Sequence, residues 1–381
     1  MVSSVALMAA FVVGIITAII GALKLDITKK LDIDNVKVGG LISAIMFTQT
    51  IMVLIVGPLV DVYGAKLFAI IGYVVSFVGA FLFINAKSYK IAFIGSIFLG
   101  AGASCLTTIA NVLGVVVLFG GSNPPAAISL ATTFFGLGAF FTPFIIGILL
   151  KKVGYKVTGN LISVIVLLPI FFAIVAQGFP NVQAGFEISQ AFGLLTKNIV
   201  IICSLVLFCY VGLEISMGGW VSSYASEIGF SDRGANLALS SYWICLMFAR
   251  LTTAGFGIKP LVTPEIGIKV AMVLAVLAII VIGFLTIVKS KSLALLGIAL
   301  MGLIFGPIYP NLLGVTLGNP SVVSVVGSAY GIIQAIGLLG ASIIPAAIGV
   351  YSKGKTIQKS FKIAVVTAVV MLIGIIIMAQ V

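Results

Sequence analysis

Charged residues punctuate this chain, and long apolar stretches run between them. Charge-poor segments cover residues 1–23, 38–60, 67–86, 91–150, 157–178, 198–226, 235–257, 270–288, 292–352 and 360–380. A helix that crosses a bilayer needs about 20 residues, so most of these segments predict one spanning helix each. The two longest are too long for one helix. Each is interrupted by a turn signal, Gly120-Gly121-Ser122-Asn123-Pro124-Pro125 in the first and Gly318-Asn319-Pro320-Ser321 in the second. The pattern therefore predicts twelve helices. Each divided block supplies the fourth and fifth helices of a six-helix half. Asn111 precedes the first turn by nine residues and Asn311 precedes the second by seven. This is weak internal symmetry of the 6+6 kind. The expected organisation is an N-terminal bundle over 1–180, a short polar connection over 181–196 and a C-terminal bundle over 197–381.

Composition agrees. The chain is 61% hydrophobic and 8% charged, against about 25% charge in soluble domains. This is an all-α integral membrane protein, and a multi-pass one. Histidine is absent, which excludes imidazole proton shuttles, Ser-His-Asp chemistry and His metal sites. Cys105, Cys203, Cys209 and Cys245 lie in apolar runs with no zinc or redox spacing. No cofactor or metal is expected. The net charge of +12 comes from cations scattered between spans, without the basic stripe of a nucleic-acid binder. They read as loop charges at lipid headgroups.

Two charges fall well inside spans. Glu214 is the only charged residue between Lys197 and Glu227. A carboxyl at that depth costs several kcal/mol unless it is protonated, paired or beside water. Glu214 is therefore the first candidate for a substrate or coupling-ion site, expected to be neutral in a dry, closed state and to titrate when water enters. Arg250 lies toward the end of its span and reads as a snorkelling or loop-pairing cation.

One loop and four further patches carry a family likeness. The stretch Gly57-Pro58-Leu59-Val60-Asp61-Val62-Tyr63-Gly64-Ala65-Lys66 resembles the G-x-L-x-D-x-x-G-x-[RK] loop of the major facilitator superfamily. In it Gly57 and Gly64 allow close packing, and Asp61 can cap a neighbouring helix and pair with a cation. Gly102–Asn111, with Cys105-Leu106-Thr107-Thr108, is similar to the G-x-x-C-L-E-T-x-x-N of the fucose–galactose–proton symporter family and its glucose-transporter-like relatives. Tyr210-Val211-Gly212-Leu213-Glu214, followed by Trp220 and Tyr224, resembles that family's Y-V-G-x-[EQ] segment, Arg250 its Gly-Arg, and Tyr309-Pro310-Asn311 its Y-P-[TN]. The resemblance implies a major facilitator fold with a site between two bundles and sugar transport by alternating access. It also implies departures. The acid of C-L-E-T is Thr107 here, and the family's first-span Asp falls near Gly21. Glu214 is then the midspan carboxylate left for coupling to H+ or Na+, unless transport is facilitative.

Helical faces gather the polar residues. Thr107 and Asn111 share one face, Tyr210 and Glu214 a second, and Tyr330 and Gln334 a third. Gln49 is the lone amide of its span. With Trp220, Tyr309 and Asn311 these make a candidate binding set, because amides bind paired hydroxyls and aromatic rings stack on the C–H face of a pyranose. Gly218-Gly219 predicts a bend that could swing Trp220 over the cavity as a gate. The expected protein is a monomeric carrier in the cell membrane that moves a small polar solute, first a monosaccharide. The alternatives are a small organic anion, suggested by the net charge and Arg250, and drug export. A membrane enzyme finds too few reactive groups in the spans.

Orientation is in conflict. Sixteen Lys and Arg follow odd-numbered spans and five lie on the other side. The positive-inside rule places both termini outside, whereas the resemblance places both inside. The family orientation is adopted here.

Overall fold

The computed structural model describes residues 1–180 and 193–381. Of the polar connection at 181–196, residues 181–192 lie outside the described residues, and Leu194–Thr196 form a 3-10 turn. Among the described residues every regular element is helical. In chain order these are α1 Val2–Ala22, α2 Lys24–Leu31, α3 Asn35–Tyr63, α4 Ala65–Ile84, α5 Tyr89–Val117, α6 Pro124–Leu167, α7 Ile170–Val175, α8 Asn198–Glu227, α9 Asp232–Thr253, α10 Pro264–Leu285, α11 Lys291–Leu317, α12 Val326–Tyr351 and α13 Ile357–Met378.

Ten stretches among the described residues are long and apolar enough to cross a membrane. The longest, Pro124–Val175, is broken at Gly154, where φ 74 and ψ 173 leave helical space. Glycine takes that conformation without a Cβ clash, so this stretch holds two spans. The remaining span is α9, the most polar of the long helices, which carries Arg250. The total is twelve, with both Gly/Asn/Pro turns where the sequence places them: α5 ends at Val117 and α6 starts at Pro124, and α11 ends at Leu317 before Gly318.

Two boundaries differ from expectation. The segment between the first two spans is not a plain loop: Lys24–Leu31 coils into α2, with Ile27 buried. Residues 157–178 are not one helix either, because Pro169 interrupts them and α7 restarts at Ile170.

The chain divides into two compact units. The first holds Met1–Gly121, the helices that follow from Ala131, and Ser324–Gly331. The second holds Ser122–Leu130, the chain from α8 to Val323, and Ile332–Val381. In the first unit α5 is the hub, packed on α1, α3 and α4. In the second α11 has that place, against α9, α10 and α8. Helices α6 and α12 each begin in one unit and continue in the other.

Candidate functional site

In the first unit, α5 and α3 bring together the amide of Gln49 and the hydroxyl of Thr107, the Nε2 donating at 3.3 Å. One turn on, Asn111 Nδ2 donates to the Thr107 carbonyl at 2.9 Å and to the Tyr330 hydroxyl at 3.1 Å. Asn111 is 5% exposed, and its Oδ1 finds no protein partner. A buried acceptor left in that state is costly, so it marks where a hydroxyl donor or water belongs.

In the second unit, α8, α9 and α11 converge on a charged cluster. Arg250 donates to Glu214 Oε1 at 2.9 Å, the one salt bridge among the described residues, and both side chains are nearly buried. The reading of Arg250 as a snorkelling or loop-pairing cation is therefore wrong. Its guanidinium turns inward because α11 supplies both room and an acceptor. Gly302 and Gly306 have α9 backbone where a Cβ would stand, Tyr242 O and Leu246 O respectively, so the two helices approach closely. Pro310 has no N–H to offer the Gly306 carbonyl four residues earlier, and Arg250 Nε takes that carbonyl at 3.3 Å. What offsets the burial of Glu214 is this pairing.

Tyrosines frame the pair. Tyr210 donates to Phe305 O at 2.8 Å and accepts from Arg250 at 3.4 Å. Tyr242 donates to the Glu214 carbonyl at 3.1 Å. Tyr309 lies 5.9 Å from Tyr210, ring to ring, and donates to Gln334 Oε1 at 2.9 Å. Sequence reasoning missed Arg250, Tyr242 and Phe305 as members of this cluster. The available signal was that two opposite charges lay inside spans and nothing else there could neutralise either.

Trp220 and Asn311 fall elsewhere. Helix α8 continues through Gly218-Gly219 without a break. Gly218 instead makes room for the Trp243 ring. Trp220 is tied to the Pro345 carbonyl at 3.2 Å. Tyr224 is fully buried and donates to Leu285 O at 3.0 Å. Asn311 is also fully buried, beside Gly267 of α10, with neither amide atom partnered by protein.

The last turns of α3 cap another helix. A Cβ at Gly57 would collide with the Gly327 carbonyl, so glycine alone lets these backbones meet. Asp61 then accepts from Gly327 N at 2.9 Å, Ser328 N at 2.7 Å and Ser328 Oγ at 2.6 Å. A carboxylate on the first N–H groups of α12 matches the helix dipole. Gly64 turns the chain at φ 88. Lys66 does not meet Asp61; it donates to Ile174 O at 3.0 Å and Ala176 O at 3.3 Å, at the end of α7.

The family model that matches is the Major Facilitator Superfamily, over residues 5–345. Glucose/galactose transporters of Brucella abortus, strains 9-941 and 2308, are each 24% identical over 332 residues, spanning 81% of this chain and 77% of theirs. Among solved structures, the transporter FucP in its outward conformation superposes with a TM-score of 0.83 at 20% identity, covering 100% of this chain and 99% of that one. A variant of the E. coli fucose:proton symporter FucP gives 0.82 at 21% identity, covering 100% and 98%. These structures show the fold.

Proposed function

The chain belongs to the Major Facilitator Superfamily, and on that footing we propose that this multi-pass carrier moves a monosaccharide through the cell membrane by alternating access. The observation that carries the reading is the buried Asn111 Oδ1, an unspent acceptor in a neighbourhood of amides and hydroxyls. A sugar hydroxyl supplies the missing donor. Gln49, Thr107, Asn111 and Tyr330 are assigned to the solute in one unit, and Tyr210, Glu214, Tyr309 and Gln334 in the other. Trp220, tied to the Pro345 carbonyl, and Asn311, sealed at 0% exposure where Asn111 keeps 5%, are assigned supporting places. The glucose/galactose relatives support the substrate class.

The organic-anion reading loses its main support, because Arg250 is already matched by Glu214. Coupling through Glu214 meets the same obstacle. Discharging it would leave the guanidinium among neutral partners, the Tyr210 hydroxyl and the Gly306 carbonyl. The pair supports hydroxyl binding first. Glu214 is then a coupling site only if the solute itself takes over Arg250. The protein acts as a monomer in the bilayer and performs no chemistry on its cargo.

The test is thermal stability of the purified protein against a panel of monosaccharides and small carboxylates, since a ligand of the folded state stabilises by mass action. A monosaccharide is expected to raise the melting temperature in wild type and not in Asn111→Ala. Stabilisation by carboxylates alone would overturn the reading.

A further inference from the structure

We propose that the end of the first unit built around α2 is a docking surface for an anionic bilayer, gripping the phosphates of acidic lipids while two apolar side chains enter the acyl boundary. The argument begins with what α2 exposes. It joins the end of α1 to the start of α3, both spans, so it lies at headgroup depth, and with both termini inside it faces the acidic lipids of the outer-facing leaflet. Its apolar residues split between two directions. Ile27 is fully buried, but Leu25 is 82% exposed, and Val36 just beyond is 81% exposed. Lys24 and Lys29 flank the first and Lys37 the second, all exposed. An apolar residue ringed by lysines, turned away from the protein, fits the acyl-headgroup boundary of an acidic membrane.

Neighbouring elements extend the surface. Lys30 leaves the patch to donate to Ile84 O at 2.6 Å, at the end of α4, and its ammonium stands 5.0 Å from the centre of the Tyr155 ring. These contacts fasten α2 to α4 and to α6 just past Gly154. Asn85 and Asn160 close the same corner at 2.8 Å. Lys87 and Lys90, at the start of α5, and Lys156 in α6 are thereby brought to this end, exposed as well. The acids present are Asp26, Asp32 and Asp34, and Asp34 is spent capping α3 by accepting from Lys37 N at 2.8 Å. Positive charge is in clear excess. Burial, and then the charge of Lys156, pushes the Lys30 ammonium below its ordinary value.

The probe is the full chain in a zwitterionic detergent, titrated with phosphatidylglycerol, phosphatidylcholine or inorganic phosphate, with thermal stability as the readout. Phosphatidylglycerol is expected to raise the melting temperature with an affinity that falls as salt rises. Phosphatidylcholine and inorganic phosphate are expected to do nothing. Each of Lys24→Gln, Lys29→Gln and Lys37→Gln should weaken the lipid effect roughly fivefold, and the triple variant about a hundredfold, with stability in detergent alone unchanged. Leu25→Ser with Val36→Ser should weaken it while keeping its salt dependence. An undiminished response in the triple variant, an equal response to phosphatidylcholine, or a response to inorganic phosphate alone would each overturn the proposal. Monosaccharide binding enters none of these readouts, so failure here leaves the transport reading standing.

Discussion

Replacing Glu214 by Gln leaves Arg250 without a counter-charge in an apolar interior. The two side chains are 12% and 7% exposed and 2.9 Å apart. After the change the guanidinium keeps the Gly306 carbonyl at 3.3 Å and the Tyr210 hydroxyl at 3.4 Å, both neutral. Breaking a buried pair from one side costs about 3–5 kcal/mol, whereas replacing both partners by apolar groups is neutral or better. An unfolding entropy of about 2.1 cal/mol/K per residue gives roughly 0.8 kcal/mol/K for 381 residues. Glu214→Gln is thus expected to lower the melting temperature by about 4–6 °C. Arg250→Met should do the same, and Glu214→Leu with Arg250→Met together should return close to wild type. Unfolding can be followed with a thiol-reactive dye, because Cys105 and Cys203 are free and buried. The double-mutant cycle isolates the pair. Wild-type stability in Glu214→Gln, or a double variant as unstable as its two parents combined, would refute the argument that pairing repays the burial. The stable double variant should still fail to bind sugar, which separates the site's role in the fold from its role in binding.

Three further outcomes follow from the geometry. Asn111→Ala should raise the KM for uptake about tenfold or more while leaving folding intact, since it removes one solute contact worth about 1.5 kcal/mol; an unchanged KM in an initial-rate assay would remove Asn111 from the site. Asp61→Asn, which weakens the cap on α12 at Gly327 and Ser328, should cost about 0.5–2 kcal/mol of stability by thermal unfolding, and Gly57→Val should prevent folding through its clash with the Gly327 carbonyl. A tag on the C-terminus should be reached only from the cytoplasm, and labelling from outside intact cells would reverse the orientation adopted here.

The spans were legible because charge punctuates them, and the two Gly/Asn/Pro turns divide the long blocks where the helices do end. The polar faces of Thr107 with Asn111 and of Tyr210 with Glu214 were legible from helical spacing. Other features were not, for stated reasons. Helix α2 has eight residues, too few for a periodic signal. Arg250 turns inward through a carbonyl that Pro310 frees on another helix, which spacing along α9 does not reveal. Gly218 looks like a hinge in sequence, but it is a seat for Trp243. Asn311 mirrors Asn111 in position along the chain, yet it is enclosed beside Gly267, because which face of a helix meets a neighbour is set by packing.

Counterflow in proteoliposomes tests the central claim most directly. Vesicles containing the purified protein and loaded with an unlabelled monosaccharide should accumulate the labelled sugar transiently, without a pH or sodium gradient, and Asn111→Ala should slow that overshoot. No exchange with any monosaccharide, from protein shown to be folded and inserted, would contradict the account.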